Sequence, residues 1–238
     1  MAIQIIEGNL FTTSCQTIVN TINCVGAMGA GIALECRLRY PKMFERYQTL
    51  CNSAHFKPGV LWLYKGGTDA SDIDEKWILN FPTKVHWKYP SRMEWLSAGL
   101  QKFVTTYREK GITSIAFPVL GSLNGGLDPD EVIELMESKL SECELPIEIY
   151  KYRNDVSDDL YERFKEKFKA MPDSVLKKET GMRVNFITKI REALDCPDIC
   201  QLNQLASVRG IGIDTMMKSF RFVCGSKRSL PLQEELGI

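Results

Sequence analysis

The chain has 238 residues, 44% hydrophobic and 25% charged, with 30 basic residues set against 30 acidic ones. At roughly 100–200 residues per domain, that length holds one large domain or a domain with a smaller companion. Zero formal charge and a pI near 6.7 exclude a globally basic nucleic-acid coat and an acidic tail protein, so any polyanion has to be held by a local site.

No stretch approaches the roughly 20 uninterrupted apolar residues of a membrane span. The opening Met1-Ala2-Ile3-Gln4 lacks the basic flank and apolar run of a secretory signal, so a cytoplasmic chain with no membrane partner is expected. The 8 cysteines are too dilute for a disulfide scaffold. The closest pair, Cys196 and Cys200, has no histidine near it, and structural zinc asks for tighter spacing and a second ligand pair, so no metal is expected.

Up to about residue 152, short β-rich runs alternate with longer stretches of helical period. Strands are predicted over 3–6, 17–19, 60–64, 77–79, 114–117 and 147–150. Helices are predicted over 31–40, 41–50, 94–110 and 130–141, with Pro41 at an allowed first-turn position and Gly111 as a stop. Alternation of this kind predicts an α/β sandwich around a central sheet.

The composition changes after Tyr152. Residues 158–170 form a charged amphipathic pattern with Leu160, Phe164 and Phe168 on one face, and Met171-Pro172-Asp173 breaks it. Further helices are predicted near 184–194, 199–208 and 214–223, and no β-like alternation returns. The expected division is an α/β domain over 1–152 and an all-helical appendage over 153–238. The appendage, about 85 residues, is small enough that docking on the first domain is expected.

Two glycine-rich segments each follow a strand and precede a helix. The first runs from Val19 to Ala33, with Gly26, Gly29 and Gly31 allowing tight turns and close backbone approach at the start of a helix. Its spacing is neither a Walker A loop nor a Gly-x-Gly-x-x-Gly fingerprint, which disfavours ATP hydrolases and Rossmann dehydrogenases. The second is Pro118-Val119-Leu120-Gly121-Ser122-Leu123-Asn124-Gly125-Gly126-Leu127. Either alone reads as a plain turn. Together, at the carboxyl ends of strands, they suit a diphosphate lying across the sheet crest.

Five motifs in order carry a family resemblance: Glu7-Gly8-Asn9-Leu10, Val19-Asn20-Thr21-Ile22-Asn23, the segment 26–33, Asn80-Phe81-Pro82-Thr83-Lys84, and the segment 120–127. Residues 1–152 resemble a macrodomain, and more narrowly the branch of terminal ADP-ribose glycohydrolase and the macrodomain antitoxin of DarTG toxin–antitoxin pairs. The resemblance implies a three-layer α/β/α sandwich with a mixed central sheet. It implies ADP-ribose as ligand and product, with no cofactor. The residues it places around that ligand are Ile6, Asn9, Leu10, Asn20, Asn23, Gly26, Ala27, Met28, Gly29, Gly31, Ile32, Thr83, Pro118, Leu120, Gly121, Ser122, Leu123, Asn124, Gly125 and Gly126. Asn9 stands where the family carries an acidic adenine contact, and its carbonyl oxygen accepts from the amine without charge. Asn23 matches the asparagine that faces the distal ribose. Leu123 replaces a usual glycine.

Lysines are mostly solvated, but a partly buried one beside an anomeric carbon can attack it as an amine. The resemblance makes Lys84 the catalytic residue. Where terminal ADP-ribose glycohydrolase carries a second-loop aspartate, this chain has Gly125, as the DarTG antitoxin branch does. The nearest carboxylate is Asp128, read either as a general acid or base or as a helix N-cap. His86 either orients a substrate or packs beside Trp87.

In the appendage, residues 205–216 resemble a helix-hairpin-helix around Gly210-Ile211-Gly212, which can offer backbone N–H groups to a DNA phosphate. Arg209, Gly210, Gly212 and Lys218 are the candidate DNA contacts, with Arg221, Lys227 and Arg228 nearby; a purely structural hairpin is the alternative. The expected function is an ADP-ribosyl glycohydrolase acting on modified nucleobases in DNA, in DNA repair or as an antitoxin to a cognate ADP-ribosyltransferase toxin. The alternatives are a hydrolase of ADP-ribosylated protein side chains, a non-catalytic ADP-ribose reader, and a toxin-neutralising module.

Overall fold

The computed structural model describes residues 3–66 and 76–225. These divide into two compact units, with the break in sequence between Tyr152 and Arg153.

The first unit runs β1 (Ile3–Gly8), β2 (Thr17–Asn23), α1 (Gly31–Arg39), α2 (Pro41–Asn52), β3 (Trp62–Tyr64), β4 (Trp77–Lys84), α3 (Met93–Thr106), β5 (Ile115–Pro118), α4 (Pro129–Leu140) and β6 (Ile147–Tyr152). Its 6 strands form one mixed sheet in the order β1-β6-β5-β2-β4-β3, parallel except for the β3–β4 pair. Period 2 along the strands sends alternate residues to opposite faces. Ile18, Ile22 and Ile78 pack with Cys36 of α1, Tyr40 at the junction of the two helices, and Met43 and Tyr47 of α2. Val19, Leu79, Phe81 and Phe117 pack with Leu96, Leu100, Phe103, Val132 and Met136 of α3 and α4. The fold is the predicted α/β/α sandwich.

Strands β2 and β4 run well past their predicted ends, to Asn23 and Lys84. The polar residues that hid the extension pair with each other: Asn20 lies opposite Asn80 in the register, and its amide nitrogen donates to the Asn80 carbonyl oxygen at 2.9 Å. Pro82 is tolerated because β3 pairs with β4 only as far as Trp62↔Asn80, so no partner on that side asks for the missing N–H.

The second unit is all-helical among its described residues: α5 (Tyr161–Ala170), α6 (Asp173–Thr180), α7 (Val184–Leu194) and α8 (Ile213–Cys224), with a 3-10 turn at Leu202–Ser207. Its core includes the rings of Phe164, Phe168 and Phe222, with centroids 5.1–6.0 Å apart. Two features differ from expectation. The break at Pro172 ends α5 but also caps a new helix, α6, which has only Leu176 as a buried apolar residue and therefore shows no repeating period. The helix predicted over 199–208 is instead the short 3-10 turn, opened by a Gln201–Gln204 capping box.

Asp158 ties this unit together. One carboxylate oxygen accepts from the N–H groups of Leu160 and Tyr161, at 2.9 and 2.6 Å, and the other accepts from Leu202 at 2.7 Å. Asp158→Ala strands these buried donors and is expected to cost about 2 kcal/mol, read as a lower midpoint in urea denaturation followed by helical circular dichroism. No helix among the described residues is long and apolar enough to cross a membrane.

Candidate active site

Strands β4, β2 and β5 are parallel neighbours, so their carboxyl ends emerge on one edge of the sheet. β2 feeds the first glycine loop, β5 feeds the second, and β4 ends on Lys84 between them. The Lys84 ammonium nitrogen donates to the Asn124 main-chain oxygen, so the lysine touches the second loop directly. The first loop approaches the same point: a Cβ on Gly31, which has φ +55°, would lie 2.9 Å from the Asn124 side-chain nitrogen. Desolvation at this junction holds the Lys84 pKa below the ordinary lysine value.

Asn23 shapes the first loop. Its side-chain oxygen accepts from the N–H groups of Val25 and Ala27 at 3.0 and 3.3 Å, and its amide donates to the Ala27 oxygen at 2.5 Å. The Tyr47 hydroxyl of α2 lies 2.8 Å from the Asn23 main-chain oxygen and 3.1 Å from its side-chain oxygen. Tyr47 escaped the sequence reading because, at helical spacing, it looks like one more core residue.

The second loop is wound on itself. Leu127 and Gly126 donate to the oxygens of Gly121 and Ser122, each at 3.2 Å, and the Ser122 hydroxyl donates to Val119 at 2.9 Å. Ser91, also not foreseen, donates its N–H to the Gly125 oxygen at 2.9 Å, and its buried hydroxyl faces Gly121 and Gly125. A Cβ on Gly125 would overlap the Gly121 oxygen and lie 2.5 Å from the Ser91 hydroxyl.

The other residues singled out from sequence fall into distinct places. Asn20, Met28 and Leu120 are fully buried or nearly so, and Thr83 and Leu10 are also buried. Ile6 and Ile32 pack partly buried against the core formed with α1 and α2. Asn9 is buried with its side-chain oxygen accepting from the Phe11 N–H at 2.9 Å, so it caps the 3-10 turn Leu10–Thr12. Pro118 closes β5, while a Cβ on Gly29 or Gly126 would meet nothing within 4 Å. Asp128 is the N-cap of α4, its carboxylate accepting from Asp130 and Glu131 at 3.0 and 3.1 Å.

In the second unit, Arg209 is exposed, and its main-chain oxygen accepts from Lys189 at 3.2 Å. Gly210 takes φ +88°, Ile211 is buried, and Gly212 precedes α8 without a side-chain cap. Lys218 pairs with Asp214 at 2.8 Å. Lys227 and Arg228 lie outside the described residues. Among the described residues no three His, Cys, Asp or Glu side chains gather as a metal site would require.

Comparison with known proteins places the fold in a family. The Macro domain family model matches residues 19–136. A protein of Mycobacterium tuberculosis named DNA ADP-ribosyl glycohydrolase is 41% identical over 133 residues, covering 56% of this chain and 37% of that one. The chain spans about two fifths of the length of the curated relatives it matches. The solved macrodomain of Mycobacterium tuberculosis DarG superposes with a TM-score of 0.59 at 37% identity, covering 63% of this chain and 97% of that one. The structure of Thermosipho africanus DarTG in complex with ADP-ribose matches with a TM-score of 0.57 at 33% identity, covering 63% and 42%. On its sheet, its two glycine loops and these relatives, the chain belongs to the macrodomain family, with DarG macrodomains among its structural neighbours.

Proposed function

We propose that this chain is a glycohydrolase that removes ADP-ribose from a modified nucleobase in DNA, working as the antitoxin to an ADP-ribosyltransferase. The observation that carries the reading is Lys84, an amine with a lowered pKa held where the two glycine loops meet. The names of the relatives and the ADP-ribose complex of Thermosipho africanus DarTG support the substrate class.

In this reading the backbone N–H groups of the two loops hold the diphosphate and distal ribose, with Asn23 fixing the first loop. The free Lys84 amine attacks C1″ of the ribose. The bond from C1″ to the base breaks, and its electron pair leaves with the base, which takes up a proton. Water then attacks C1″, the C1″–nitrogen bond to Lys84 breaks, and ADP-ribose and the amine are released. ADP-ribose is the product, and the chemistry calls on no cofactor. The Arg209–Gly212 turn is a phosphate contact that holds DNA without reading bases.

The test runs ADP-ribosylated single-stranded DNA and ADP-ribosylated protein in parallel and follows free ADP-ribose. Turnover of DNA is the expected result. Turnover of protein alone, or binding of ADP-ribose with neither substrate consumed, overturns the reading.

Tyr47→Phe removes the hydroxyl that fixes Asn23. It is expected to weaken ADP-ribose binding about five- to tenfold, measured by titration calorimetry, with the fold intact.

A further inference from the structure

Between Lys84 and Met93 the chain reads Lys-Val-His-Trp-Lys-Tyr-Pro-Ser-Arg-Met: three cations and a histidine without one acidic residue. Among the described residues, the three most exposed large hydrophobic side chains are Leu123, Tyr89 and Trp87, at 74%, 63% and 54%. Two of them sit in this segment and the third on the second loop. Single exposed apolar side chains are ordinary, but neighbouring ones gathered beside a cleft mark a contact surface.

The segment is built, and it is fastened to the site at both ends. Val85 accepts from the Cys24 N–H of the first loop at 3.1 Å, and Ser91 donates to Gly125 of the second at 2.9 Å. Between these ties the chain turns tightly: Tyr89 donates to the His86 oxygen at 3.1 Å, and Lys88 donates its N–H to the His86 ring nitrogen at 3.2 Å. The His86 ring stands 5.5 Å from both Trp87 and Tyr89, stacked on the first at 27° and tilted to the second at 50°. The Lys88 ammonium lies 5.1 Å from the Trp87 ring centre, and the Arg92 guanidinium 5.1 Å from that of Trp95.

Exposed aromatic residues interleaved with cations, in a run free of carboxylates, suit a single nucleic-acid strand: bases stack on the rings, displacing the Lys88 ammonium that lies over Trp87, and phosphates meet the cations. A protein partner would match the apolar faces equally well but gives no reason for acid to be excluded from the whole run. We propose that Trp87 and Tyr89 form a stacking platform for the unpaired nucleotides that flank the modified one, with Lys88 and Arg92 meeting their phosphates. This rests on the reading of the chain as a DNA ADP-ribosyl glycohydrolase. It makes the platform, beside Lys84, a determinant of preference for strands over isolated nucleotides.

The test uses the full chain and two substrates: an ADP-ribosylated mononucleotide, and the same nucleotide within a single strand of about 12 nucleotides. Binding of a fluorescent unmodified strand of that length is measured alongside by anisotropy. The double variant Trp87→Ala with Tyr89→Ala is expected to lower kcat/KM on the strand roughly ten- to a hundredfold, to weaken unmodified-strand binding to a similar degree, and to leave mononucleotide hydrolysis unchanged. Trp87→Phe with Tyr89→Phe is expected to retain both. Equal loss on the two substrates would place the rings in the ADP-ribose pocket or in the fold and overturn the proposal. So would an unaltered strand preference, which would assign the patch to a protein partner. If the wild type hydrolyses neither substrate while strand binding still depends on the rings, the glycohydrolase reading fails and the platform stands.

Discussion

Lys84→Ala is expected to lower ADP-ribose release from DNA by at least about a hundredfold while ADP-ribose binding and the thermal midpoint stay near wild type. The separation follows from where the lysine stands. It is the last residue of β4, partly exposed, and its side chain reaches the Asn124 main-chain oxygen, an acceptor that water can satisfy once the amine is gone. The loops keep their own bonds, through Asn23, Gly121 and Ser91. Lys84→Arg sharpens the result. It keeps the positive charge but supplies no free amine, so a nucleophilic role predicts loss as deep as with alanine, whereas an electrostatic role predicts substantial retention. The pH profile adds a sign. Desolvation lowers the Lys84 pKa from its ordinary 10.5, so deprotonation, and with it the rate, sets in at lower pH than for a solvated lysine. The wild-type rate is expected to rise with pH through that lowered value and to level off above it. A rate that falls over the same range would remove the amine from the mechanism.

The layered fold was legible because apolar period carries it: strand-length runs alternating with helical spacing marked all 6 strands and 4 helices of the first unit. What period could not carry was polar structure inside the core. Asn20 and Asn80 read as the end of two strands and are a buried cross-strand pair, 60 residues apart in sequence. The site was legible in the same measure. Glycines at the ends of strands, with Lys84 between them, marked the segments that the fold brings together. Tyr47 and Ser91, which set the shapes of the two loops, reach their partners from 24 and 34 residues away and leave no local mark. Asp158 is the same case in the helical unit, where its third hydrogen bond spans 44 residues. The macrodomain resemblance supplied roles for residues and placed Asn9 and Asn20 by position. Both side chains are buried, the Asn9 oxygen accepting from Phe11 and the Asn20 amide donating to Asn80, while the Asn20 oxygen is buried without a hydrogen-bond partner among the described residues.

Gly125→Asp is expected to abolish measurable ADP-ribose binding and hydrolysis rather than to add a catalytic carboxylate. The position invites the substitution, since the resembled terminal ADP-ribose glycohydrolase carries an aspartate there. The obstacle is room, for Gly125 does not have the positive φ of Gly121 and Gly126. Any Cβ at 125 overlaps the Gly121 carbonyl oxygen, stands 2.6 Å from the Gly121 carbonyl carbon and 2.5 Å from the Ser91 hydroxyl. The serine can rotate away; the carbonyl cannot. The Gly121 oxygen is held by the Leu127 N–H at 3.2 Å, and the Gly125 oxygen by the Ser91 N–H at 2.9 Å, so relief requires the loop to unwind. Overpacking of this kind costs about 1–3 kcal/mol in stability and displaces the loop N–H groups to which the proposed function assigns the diphosphate. Gly125→Ala should therefore fail almost as badly as the aspartate, because the first carbon does the damage. Adding Ser91→Gly to it should restore only part of the loss, because the carbonyl overlap remains. Thermal melting and ADP-ribose calorimetry on the three variants decide the matter: a Gly125→Asp protein that binds normally and turns over faster would show that the loop re-forms around a side chain. The expected failure instead places the proton acceptor for the water step at a residue other than 125.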